Sequence, residues 1–210
     1  MGKMSRLKTA TAYIKQLCLS PDMQKHRLGL KLEAEYATWV RTLNLQDFVT
    51  FNETIEKNKM QIGAAQFFGK FRAYSFEEYV YRLLQSKVHV PKNLQLFWSE
   101  KCLVWRKDGK EYAMEFDVSI GGRRGCFVEP KIVFDAKIEL DSARLKTAIA
   151  SFAILKEWTK KAKCVLVYVF KELDPALLEL ATRWADGVFQ LSLENDETSA
   201  LLKFVSGCLE

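Results

Sequence analysis

The chain has 210 residues, 49% hydrophobic and 28% charged, the balance of an ordinary soluble globular protein able to bury a sizeable core. No apolar stretch reaches membrane-spanning length and the N-terminus lacks the apolar core of a signal peptide, so no membrane partner and a cytoplasmic location are expected. The formal net charge of +6 is carried by residues 1–31, where seven basic side chains meet one acid, Asp22, and the rest of the chain is balanced. A basic N-terminal arm containing Lys3, Arg6 and Lys8 suits a polyanion such as DNA, or else a solvated helix surface. Five scattered cysteines with no Cys-x-x-Cys, and two histidines remote from them, argue against zinc and against a disulfide framework. The absence of a nucleophile signature and of a glycine-rich phosphate loop argues against triad hydrolases and nucleotide hydrolysis.

In chain order, residues 1–70 read as a helical region suited to DNA contact or dimerisation. Leu7, Ala10, Ile14 and Leu17 recur at helical spacing, and Ser20-Pro21 resembles a cap with proline in the first turn. Leu28, Leu32, Tyr36, Trp39 and Leu43 share one face of a second helix, and 46–59 suggests a third. Residues 71–210 form the second region. It opens on a helix that starts at Ser75, where Ser75 and Glu78 have capping-box spacing and Phe76, Val80, Leu83 and Leu84 make the apolar face. Strand pieces follow at 94–98 and 102–106, then a hairpin turn at Asp108-Gly109.

Two strands then carry the chemistry. Residues 112–120 bear Asp117 and end at Gly121-Gly122-Arg123-Arg124-Gly125, a glycine-rich segment that could turn the chain toward an antiparallel neighbour. Residues 132–140 bear Asp135-Ala136-Lys137, and a strand's period of two puts Asp135 and Lys137 on one face with Phe134, Ala136 and Ile138 on the other. Two carboxylates and a lysine would then converge. Close carboxylates repel unless a cation joins them, and hard divalent ions prefer oxygen ligands, so Asp117 and Asp135 could share such an ion. Glu129-Pro130-Lys131 also reads acid-x-Lys, but the apolar run begins after Pro130, which makes Glu129 a pre-strand residue. A helix over 142–161, a buried strand over 163–170, a helix opening at Asp174-Pro175 and a strand over 187–193 complete the pattern.

This order, with Asp117 and Asp135-Ala136-Lys137 on adjoining strands, resembles the PD-(D/E)XK nuclease superfamily over roughly residues 75–195. The family's leading proline is replaced by Phe116. The resemblance implies an α/β fold, a restriction-endonuclease-like core in which helices flank a mixed central sheet, here preceded by a helical N-terminal region. It implies a Mg²⁺-dependent endonuclease with Asp117, Asp135 and Lys137 as catalytic residues, and with Asp117, Asp135 and the Ala136 carbonyl as the Mg²⁺ ligands. It adds Glu77, at the acid of the family's Phe-Glu-x-x-Val helix pattern, with a solvent-facing helix glutamate as the other reading. The 142–161 segment lacks the Gln-x-x-x-Tyr of recombination exonucleases, and resolvases seldom carry a long helical N-terminus. The expected protein is therefore a small type II restriction endonuclease, a homodimer on double-stranded DNA. A Holliday-junction resolvase, a repair nuclease or an inactive DNA-binding module of the same fold are the alternatives. Arg123 and Arg124 either read guanine edges or decorate a solvated turn.

Overall fold

The structure is a computed structural model and describes residues 9–210. Two compact units meet at Arg82 and Leu83, inside one long helix. Among the described residues no helix is long and apolar enough to cross a membrane.

The first unit is helical: α1 (Ala10–Cys18), α2 (Met23–Thr42), α3 (Leu45–Lys57), α4 (Lys59–Ile62) and the first part of α5 (Ala65–Lys87). The cap of α2 is Asp22 rather than Ser20-Pro21. Its carboxylate accepts the Gln24 N–H at 2.8 Å and also that of Lys25, while the Ser20 hydroxyl is taken by the Asp22 N–H. An ionised oxygen at that position satisfies two orphan amides and favours the helix's positive end, which a serine hydroxyl does less well. Trp39 is fully buried, with its ring centroid 5.7 Å from Phe48 and 5.9 Å from Tyr79. Trp39→Ala is expected to destabilise this unit by ~3–5 kcal/mol, seen as a lower urea midpoint.

The α5 helix starts ten residues before Ser75, so the expected capping box does not form. The aromatic face runs upstream instead: Phe67 and Phe71 lie 4.7 and 5.2 Å from the Tyr13 ring, and this burial outweighs the local signal at Ser75. Ser75 sits mid-helix and donates its hydroxyl to the Phe71 carbonyl at 2.7 Å. Glu78 accepts from the Tyr36 hydroxyl at 2.5 Å and from Arg82 Nε at 2.8 Å, a buried anchor that leaves it no capping role. Burial, then the bond to Glu78, push the Tyr36 phenol well above its ordinary range.

The second unit holds the sheet: β1 (Gln95–Lys107), β2 (Lys110–Arg124), β3 (Phe127–Asp141), β4 (Lys163–Glu172) and β5 (Gly187–Gln190), in spatial order β1-β2-β3-β4-β5. The first three pair antiparallel and β3-β4-β5 pair parallel, giving a mixed sheet. Parallel neighbours need crossovers, and these are α6 (Ser142–Trp158) between β3 and β4 and α7 (Pro175–Ala181) between β4 and β5. Asp141 and Asp174 cap them, each accepting a backbone N–H at 2.8 Å. Leu145, Ala148, Phe152 and Leu155 of α6 pack with Cys164, Leu166 and Tyr168 of β4 in one core. The chain continues into α8 (Thr198–Leu209), whose Leu201, Val205 and Leu209 are buried at a spacing of four.

The β1–β2 hairpin turns at Asp108 and Gly109, both at positive φ (50° and 74°), as the Asp-Gly pair demands. Only the last glycine of the glycine-rich run, Gly125 at φ 59°, turns the chain toward its antiparallel neighbour β3. Gly121–Arg124 remain in β2, paired with Pro130–Phe127, and the turn falls at Gly125 and Cys126. Glu129 is likewise inside β3 rather than before it, and Pro130 is accommodated at a register shift opposite Gly121. Here glycine is required for space: a Cβ at 121 would lie 2.2 Å from the Glu129 carbonyl oxygen, whereas one at 122 meets nothing within 4 Å. Gly121→Ala is therefore expected to cost ~1–3 kcal/mol in unfolding free energy, and Gly122→Ala to stay near wild type.

Candidate active site

Asp117 lies at the point where β2 and β3 part. The paired stretch begins at Val118–Phe134, and beyond it the Asp117 carboxylate takes the place of backbone, accepting the Ala136 N–H at 2.7 Å. On its other side β3 is held in register with β4, through Asp135–Leu166 and Lys137–Tyr168. A strand fixed on one flank and open on the other is a rigid mount for side chains. Burial alternates as the two-residue period requires, Phe134, Ala136 and Ile138 buried and Asp135, Lys137 and Glu139 less so. Across β2, Ser99 of β1 lies opposite Asp117 with φ 49°, between the Trp98–Val118 and Glu100–Phe116 pairs. A left-handed serine in a strand is uncommon and marks a backbone held against its preference beside the site. Nothing in the residue types around Ser99 signals it.

The three polar groups converge. Lys137 Nζ is 2.6 Å from Asp135 Oδ1 and 3.3 Å from Asp117 Oδ2, and 3.5 Å from the Ala136 carbonyl oxygen. Side-chain exposures of 14% for Asp135 and 24% for Asp117 and Lys137 leave the cluster reachable yet poorly hydrated. Burial, then the neighbouring Asp117 charge, raise the Asp135 carboxyl above the usual carboxylate range, with Lys137 opposing. Burial alone would depress the Lys137 ammonium. The two carboxylates outweigh it, and the net shift is upward, so the ammonium stays charged.

The donor set suits a hard divalent cation. Asp135 Oδ1 is buried and accepts no aligned hydrogen bond; its contact with Lys137 is a close ion pair and not a directed bond. That oxygen, Asp117 Oδ2 and the Ala136 carbonyl are all oxygen donors around one point, the ligand type that Mg²⁺ selects. Among the described residues no group of three or more His, Cys, Asp and Glu side chains is placed to hold a metal, so the backbone carbonyl would be part of any such set.

The remaining candidates are placed as follows. Glu77 is buried in α5, on the first-unit side of the boundary, and contributes after burial and Tyr74 to raising the Tyr13 phenol. Arg123 and Arg124 are on the end of β2, not on a turn. Arg123 pairs with Glu100 at 3.3 Å and lies over the Phe97 ring, and Arg124 pairs with Glu129. That pairing also engages the decoy acid Glu129, which faces Gly122 in the ladder. Lys3, Arg6 and Lys8 fall outside the described residues.

No family model matches the chain, and no curated protein matches its sequence. Among solved structures it is similar to a chain of the native BbvCI A2B2 tetramer, a restriction endonuclease, with a TM-score of 0.57 and 11% identity, over 91% of this chain and 86% of that one. At that identity the likeness is one of fold. A mixed five-stranded sheet flanked by helices, with a helical N-terminal region before it, is a restriction-endonuclease-like α/β fold.

Proposed function

We propose that this chain is a Mg²⁺-dependent endonuclease of the PD-(D/E)XK type, hydrolysing phosphodiester bonds in double-stranded DNA. The carrying observation is the convergence of Asp117, Asp135, the Ala136 carbonyl and Lys137 at the parting of two strands in a restriction-endonuclease-like fold. Asp117, Asp135 and Ala136 would hold the ion. When bound, it supplies Lewis acidity toward a phosphate oxygen and makes water a better nucleophile near neutral pH. The chain's own groups do the rest. The Ala136 N–H fixes the orientation of the Asp117 carboxylate. Lys137 offsets charge on the scissile phosphate and orients the water that adds to phosphorus as the P–O bond to the leaving oxygen breaks. Glu77, from the family pattern, remains a candidate contributor, and Arg123, Arg124 and the arm carrying Lys3, Arg6 and Lys8 are candidate DNA contacts.

The finer reading is a type II restriction endonuclease, working as a homodimer at a short symmetric site. One centre cuts one strand, so two copies about a two-fold axis cut both strands of a palindrome. BbvCI is itself a multi-subunit assembly, which agrees with an oligomeric protein. Incubation with plasmid and phage DNA, with Mg²⁺ and with chelator, tests the activity. Discrete fragments only with the ion are expected; a smear would point to non-specific cleavage, and no cleavage would overturn the proposal. Light scattering is expected to give the mass of two chains. A monomer that stays single on DNA and nicks one strand would move the reading to a repair or nicking nuclease.

A further inference from the structure

The oxygens that suit a cation are already occupied by one. Lys137 Nζ contacts Asp135 Oδ1 at 2.6 Å, Asp117 Oδ2 at 3.3 Å and the Ala136 carbonyl at 3.5 Å, the same three oxygens assigned above to Mg²⁺. We propose that the Lys137 ammonium is a tethered stand-in for the metal, which neutralises the free site and must be displaced before a divalent ion can enter. This inference rests on the cation reading of the site and adds a second role for Lys137.

The physical argument is competition for one set of acceptors. Two carboxylates facing each other in a half-buried site repel strongly unless a positive charge lies between them. Here that charge is supplied by the next residue along the strand but one, at no cost in freedom of association. An ammonium and a divalent ion seated on the same three oxygens would lie at contact distance from each other, where like charges in a poorly hydrated site repel strongly. Metal entry therefore costs the protein its Asp–Lys ion pairs, and intrinsic metal affinity is low. The ammonium displaced by metal loses both carboxylate partners, and a bound DNA phosphate is the anion the proposed reaction brings to it. By linkage, a phosphate that holds the ammonium away favours metal binding, and metal favours phosphate. The site would thus remain closed to metal until substrate arrives.

The test is Mn²⁺ titration of the free, full-length protein, read by the loss of the free-ion electron paramagnetic resonance signal and by melting temperature. Lys137→Met and Lys137→Gln remove the competing charge and are expected to bind Mn²⁺ about tenfold or more tightly than wild type, with a larger rise in melting temperature. Lys137→Arg keeps the charge and is expected to stay as weak as wild type. Asp135→Asn separates the two levels of the argument. If Asp135→Asn loses Mn²⁺ while Lys137→Met and Lys137→Gln bind no tighter than wild type, the stand-in role is refuted and the cation site survives. If no form binds Mn²⁺, or Lys137→Met keeps its binding unchanged when Asp135→Asn is added to it, the cation site itself is refuted and the stand-in role falls with it.

Discussion

Asp117→Ala and Asp135→Ala are each expected to reduce DNA cleavage by at least ~10²-fold while leaving the fold intact. The size follows from removing charge that stabilises the transition state in a poorly hydrated site, where single groups are commonly worth ~10²–10³ in rate. The fold should tolerate either change because the two acids oppose each other. Asp135 is raised by its burial and by Asp117, so losing one carboxylate relieves repulsion and leaves Lys137 a partner. The two variants differ in one respect. Asp117 also accepts the Ala136 N–H, so Asp117→Ala leaves that amide to water, and it should show the larger drop in melting temperature. Glu129→Ala is the control, since Glu129 is tied to Arg124 at the other end of the β2–β3 ladder. It should cut DNA as wild type does. Full activity in either aspartate variant, or loss confined to Glu129→Ala, would contradict the assignment.

Lys137→Met is expected to lower turnover by ~10²-fold or more and to change DNA affinity only a few-fold. When a group acts only as charge develops on the phosphate, its loss lowers kcat and kcat/KM together, whereas loss of a simple phosphate contact lowers affinity and kcat/KM by the same factor and leaves kcat unchanged. Methionine keeps the length and apolar stem of lysine and removes only the ammonium, so the strand's packing against β4 through the Lys137–Tyr168 pair is preserved. The measurement is single-turnover cleavage alongside equilibrium binding to the same duplex. Equal losses in affinity and kcat/KM, with kcat unchanged, would make Lys137 a phosphate contact with no part in the chemistry.

Much of this arrangement is legible in the sequence because two strong local patterns coincide there. Alternation in residues 132–140 is enough to place Asp135 and Lys137 together, and the almost wholly apolar 163–170 segment is enough to mark a central strand, as β4 proves to be. Where sequence and structure part, tertiary packing has overridden a local signal. Ser75 and Glu78 have capping-box spacing, but Phe67 and Phe71 find an aromatic partner in Tyr13, and the helix extends through Ser75. Gly121-Gly122 looks like a turn because glycine serves turns. In β2 the first of the pair answers a different need, the close approach of Glu129 and Pro130 across a bulge. The break between 98 and 102 is visible in the sequence as a gap between strand pieces, yet the structure has one strand with a left-handed residue at Ser99, a feature of backbone geometry that residue type does not encode. The Ala136 N–H on Asp117 is likewise invisible, since it depends on where the ladder ends.

Anomalous diffraction from crystals of the protein with duplex DNA and Mn²⁺ tests the central claim most directly, because it locates the ion without relying on activity. The account predicts an anomalous peak within coordination distance of Asp117, Asp135 and the Ala136 carbonyl, with the Lys137 ammonium moved off those oxygens toward a phosphate. A peak held by other residues, or none at these three oxygens with DNA in place, would contradict it.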